Sequence, residues 1–105
     1  MKLYELSDMK RGWFVGDFTP SVYQTSSFEV GLKSYSAGET EEAHFHKSSE
    51  EITLVVHGKI KMAGKLFSQG QIVVLEKNEI SSFEAVEDSS LIVVKIPSVK
   101  NDKFS

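Results

Sequence analysis

Apolar and polar positions alternate along most of the chain, in short runs separated by Gly, Ser, Asn and Asp. The stretch Phe28-Glu29-Val30-Gly31-Leu32-Lys33 alternates strictly. A period of two marks a half-buried strand, because successive side chains point to opposite faces. Ile52-Thr53-Leu54-Val55-Val56 is a β-prone run, and Lys59-Ile60-Lys61-Met62 alternates again. Ala63-Gly64 follows and predicts a tight hairpin turn, since Gly64 can take positive φ. Ile72-Val73-Val74-Leu75 comes after Gly70, and Leu91-Ile92-Val93-Val94-Lys95-Ile96 is stopped by Pro97. No segment carries a helical period of useful length. Ser7 to Lys10 suit at most one helical turn, with Ser7 or Asp8 as cap. Seven or more closely spaced strands without a βαβ unit predict an all-β sandwich or closed barrel.

Composition narrows the class. At 105 residues the chain fits one domain, and 40% hydrophobic with 26% charged residues is ordinary for a globular protein. A net charge of −3 argues against nucleic acid as a partner, since such surfaces are basic. Lys59 and Lys61 read as a solvated face. There is no cysteine, which excludes disulfides, zinc knuckles and thiol catalysis. The apolar runs are too short to cross a bilayer, and Met1 to Lys10 lacks an apolar signal region. A cytoplasmic protein without a membrane partner is the expectation.

The chemistry concentrates in His44-Phe45-His46 and the carboxylate at Glu51. Alternate strand residues share a face, so both imidazoles project to one side, about 7 Å apart along the backbone. A turn between Lys47 and Glu50 brings Glu51 alongside them. Two imidazoles and one carboxylate form a facial set that suits one divalent transition metal: Fe, Mn, Ni, Zn or Cu. Glu50 competes with Glu51, but neighbouring strand residues cannot both point inward.

Gly38, His44, His46, Glu51 and Gly58, at these spacings, reproduce the first motif of the cupins. The sequence resembles a small single-domain cupin of the RmlC-like jelly-roll type, with metal ligands at His44, His46 and Glu51. The resemblance implies a double-stranded β-helix barrel core over about 28–96, between an N-terminal arm (1–27) and a C-terminal tail (97–105). The distance to Gly58 selects Glu51 over Glu50. The second cupin motif is partial. It opens at Gly70, has Asn78 where Gly is usual, and has Ser81 where the family places a fourth ligand, a His. Asn tolerates positive φ, so that turn can form. The resemblance further implies a small polar ligand, with sugars as one class. Isomerisation, oxygenation and non-catalytic binding without metal all stay open.

Other candidates have plainer readings. His57 lies six residues beyond Glu51, too far along a strand to join it, and reads as a turn position. Glu39, Glu41 and Glu42 read as a solvated loop. Trp13 reads as core or as lining the cup; Tyr35 reads as surface or as pocket rim. Ser81 could bind a metal-held water. Asp17, Lys100, Asp102 and Lys103 have no spacing that demands a role, and Ser98 to Ser105 reads as a loosely packed tail, with Phe104 as its one anchor. If Glu51, Thr53 and Val55 point inward, then Ile52, Leu54 and Val56 point out. Large apolar side chains on an outer face predict a homodimer packed through that face.

Overall fold

The computed structural model describes residues 1–105. After one 3-10 turn at Leu6–Asp8, ten strands follow: β1 (Trp13–Gly16), β2 (Tyr23–Gln24), β3 (Glu29–Tyr35), β4 (Thr40–His44), β5 (Glu50–His57), β6 (Lys59–Met62), β7 (Lys65–Ser68), β8 (Ile72–Leu75), β9 (Ser81–Ala85) and β10 (Ser89–Ile96). They form a six-stranded sheet, β2-β1-β3-β10-β5-β8, and a four-stranded sheet, β4-β9-β6-β7. Every pairing is antiparallel except β1 with β2. The all-β barrel read from the strand rhythm is the architecture found. The stretch before residue 28 contributes β1 and β2 to the larger sheet. The early turn begins one residue before the expected stretch, so that Glu5, not Ser7 or Asp8, holds the cap position, and no side chain caps it.

The two sheets face each other over an apolar core of Val55, Ile60, Met62, Phe83, Ala85, Leu91 and Val93. It comes from the inward positions of β5, β6, β9 and β10, with the strong β-formers Val55, Ile60, Phe83 and Val93 among them. The turn from β5 to β6 needs Gly58: φ is +92°, and a Cβ would collide with Ser89 and the Asp88 carbonyl. Between β6 and β7, Met62 pairs directly with Lys65, so Ala63-Gly64 is a two-residue hairpin loop as expected. Both residues have positive φ, the type I′ requirement, and Ala63 meets it at +49° without being Gly or Asn. Asn78 has φ +67°, so its turn forms as the second motif suggested.

The face assignment of β3 places its apolar residues outside. Lys33 pairs with Leu91, Gly31 with Val93 and Glu29 with Lys95, and Leu91 and Val93 belong to the core. Glu29, Gly31, Lys33 and Tyr35 therefore face inward, and Val30 and Leu32 outward. Two apolar rows result on the outer face: Leu32, Ile92, Leu54 and Ile72, and beside it Val30, Val94, Ile52 and Val74.

Candidate metal centre

One end of the barrel is filled by the core. Toward the other end a cavity of about 270 Å3 is lined by His44, His46 and Glu51 together with Tyr35, Glu41 and Trp13. Three local features aim the first three side chains. In β4, Glu41 pairs with Phe83 and His44 with Ser81, so three steps on β4 match two on β9. This bulge turns Glu41 and His44 to the same face, where regular alternation would oppose them. His46 follows just beyond β4, with Phe45 bridged to Phe104. Glu51 shares the inward parity of Thr53 and Val55, which are buried, while Glu50 is exposed.

His46 is 6% exposed. Its Nδ1 lies 2.7 Å from the Asp102 carbonyl, which can only accept, so Nδ1 carries the proton in the neutral ring. The Nε2 lone pair then points into the cavity, buried and without a hydrogen-bond partner. His44 is set the same way, with Nδ1 3.0 Å from the Glu42 carbonyl. The two rings meet edge to face, centroids 5.4 Å apart. Nε2 of His46 is 3.9 Å from Oε2 of Glu51, too far for a hydrogen bond. Two ligands about 2.1 Å from one ion lie about 3.0–3.4 Å apart, so a small side-chain movement brings this pair into range. No three His, Asp or Glu side chains are already drawn to ligand distances of a single point. A buried imidazole lone pair with no partner beside a carboxylate is a donor set whose chemistry suits a divalent metal ion.

Asp102 is the residue that sequence spacing missed. It is 8% exposed, in a tail read as loose. Its carboxylate accepts the backbone N–H of Lys47, Ser48 and Ser49 at 3.0–3.1 Å, while its carbonyl holds His46. Burial alone would raise this carboxyl, but those N–H bonds outweigh it and hold it below the usual range. Phe104 closes the clamp: it exchanges two backbone hydrogen bonds with Phe45, and the rings stack at 5.7 Å. The tail is thus packed against the loop from β4 to β5. On the opposite side, the Asn78 N–H donates to the His46 carbonyl at 2.7 Å.

The wall of the cavity is also more polar than expected. Tyr35 packs against Phe83 and donates its hydroxyl to Glu41 at 3.0 Å. Burial, reinforced by Glu41, pushes its phenol pKa up, so it stays a donor. Glu41 is a wall residue, not part of a solvated loop, because the bulge turns it inward. Trp13 lies over Gly31, where a Cβ would come 2.7 Å from the indole, and so lines the cup. Ser81 is buried opposite His44 and spends its hydroxyl proton on the Ser82 carbonyl at 2.8 Å. His57 is exposed, as expected.

No family model matches the chain, and no curated protein matches it. Solved structures do. The chain is similar to KdgF from Halomonas sp., at 22% identity and a TM-score of 0.67, over 76% of this chain and 79% of that one. It is similar to an uncharacterized conserved protein with a double-stranded beta-helix domain from Klebsiella pneumoniae subsp. pneumoniae, at 15% identity and 0.71, over 99% and 89%. It also resembles bacterial pirin YhhW from Escherichia coli, in complex with nickel(II), at 16% identity and 0.70, over 84% of this chain and 39% of that one. The fold is the double-stranded β-helix of the cupins.

Proposed function

We propose that the cup is a mononuclear metal centre, with Nε2 of His44, Nε2 of His46 and the Glu51 carboxylate as ligands to one divalent transition metal. A small polar molecule is acted on above it. The observation that carries this reading is the buried, unpartnered Nε2 of His46 beside Glu51. Leaving such an atom unsatisfied costs about 1–3 kcal/mol, and an ion removes that cost. The nickel(II) in a pirin of the same fold supports it. The N,O donor set suits Fe, Mn, Ni, Zn or Cu alike.

A bound ion would polarise a ligand oxygen as a Lewis acid. The chain's own residues do the rest. Asp102 and Glu42 carbonyls keep the imidazoles in the tautomer that offers Nε2. Tyr35 and Glu41 present a hydrogen-bonding wall to the substrate. With Ser81 committed to Ser82, three protein ligands leave positions open for a small molecule, as in catalytic sites. Isomerisation and oxygenation both suit such an assembly. The same Ser81 also favours the competing reading, a metal-free binding module for a small molecule.

Metal loading separates the two. Protein stripped with chelator, reloaded and desalted should retain about one transition-metal ion per chain, and His46→Ala and Glu51→Ala should each lose it. Parent protein that retains no ion from any of the five metals would leave only the binding module. We propose also that two copies pair through the apolar rows on the outer face of the larger sheet.

A further inference from the structure

We propose that the mouth of the cup is a site for a small organic anion, held at its charged end by Lys33 and Lys95 with Arg11. The metal reading enters only at the far end, where an oxygen of the same molecule would meet the ion.

The chain carries a net charge of −3, yet the cavity reverses that sign. Arg11, Lys33, Lys95 and Lys103 line it, against the carboxylates Glu41 and Glu51. Only Lys103 among the four cations has an ion pair, at 4.0 Å to Glu41. Glu41 is further engaged by Tyr35, and Glu51 lies beside His46. Arg11, Lys33 and Lys95 have no carboxylate within 4.0 Å; the nearest cross-strand acid, Glu29 opposite Lys95, interacts with it from beyond that distance.

These cations are placed by the fold. Lys33 and Lys95 occupy inward positions on adjacent strands β3 and β10, and both are half-buried. Their ammonium groups lie 5.5 and 5.3 Å from the centroid of the same Trp13 ring. The negative π cloud of that one indole attracts both ammonium groups. Lys33 Nζ donates to the Arg11 carbonyl at 3.0 Å, which ties the arginine's segment to the pair.

An arrangement of this kind is unfavourable in the empty protein. Half-burial strips water from both ammonium groups, and Lys33 has a backbone carbonyl, not an anion, as its hydrogen-bond partner. Burial lowers the Lys33 pKa, and Arg11, Lys95 and Lys103 press it the same way, against Glu41. An anion would relieve the repulsion and accept the free N–H donors. At about 270 Å3 the space is at the small end of ligand pockets, which suits a metabolite rather than a polymer. Carboxylate and phosphate share the required chemistry.

Calorimetric titration tests this with succinate and glycerol 2-phosphate, each against its neutral counterpart, succinamide and glycerol. The protein is used both metal-free and metal-loaded. At least one anion should bind about tenfold or more tightly than its counterpart, and more weakly as salt rises. The stronger of the two anions identifies the head group. The Lys33→Gln/Lys95→Gln variant should lose that preference and keep its metal, while Lys33→Arg/Lys95→Arg should retain it. Equal binding of anions and neutral counterparts, or a preference unchanged in the Gln variant, overturns the proposal. Lysine-dependent anion binding in a protein that takes no metal would sink the metal reading and leave this one standing. Metal uptake without anion preference would do the reverse.

Discussion

At the scale of single residues, the site depends on which nitrogen of His46 holds a proton, and Asp102 decides that from the tail. Its carboxylate also gathers three backbone donors, of which the Ser49 N–H is buried and would otherwise lack a partner. Asp102→Asn should therefore lower unfolding free energy by about 2–3 kcal/mol, read by urea denaturation. It should also weaken metal binding although no ligand is altered. The pH dependence has a definite sign. A carboxyl held below its usual value contributes stability that is full above about pH 4 and is lost as pH falls through the native pKa. Parent protein should lose stability on acidification below about pH 4 more steeply than the Asn variant; parallel curves would mean that Asp102 does not titrate this way. That His44, His46 and Glu51 would line one cavity was legible in the sequence because their spacing is local. Asp102 was not, because its partners lie more than fifty positions away and nothing nearby marks it as buried. Lys33 was hidden differently: amphipathic alternation in β3 suggests that the charged side faces water, and here it lines the cup.

At the scale of elements, β3, β5, β6, β8 and β10 were legible because alternating or β-branched runs and breakers delimit them, whereas β2 and the acidic start of β4 were not. The hairpin at Ala63-Gly64 was legible for the same reason. Its strain was not, since only the backbone angle shows that Ala63 is left-handed. A non-glycine residue there costs roughly 1–2 kcal/mol, less for Asn. Ala63→Asn should raise the unfolding free energy by about 0.5–1 kcal/mol with no change in metal content, and a loss of stability would show that the turn relaxes in solution. The bulge in β4 was illegible too. No residue type announces it, yet it alone places Glu41 beside His44.

At the scale of the whole molecule, the apolar outer face needs a cover. Leu6 and Met9 of the N-terminal segment line clefts with Phe14, Val22 and Leu32 near β1, whereas Ile72 and Val74 on β8 are 63% and 51% exposed. A twofold pairing of two such faces would bury both rows against their own copies. Light scattering at micromolar concentration should give a dimer, and Ile72→Lys with Val74→Lys should give a folded monomer. A monomeric parent would remove the pairing. The clamp on His46 has a consequence in time rather than in space. Asp102 follows His46 by 56 positions. At about 5–20 residues per second, a ribosome releases the histidine roughly 3–11 seconds before the residue that orients it. During that interval the nascent chain carries a flexible imidazole instead of a prepared ligand. On the proposed metal reading, an imidazole fixed in one tautomer therefore exists only once Asp102 has been made and has folded back onto it.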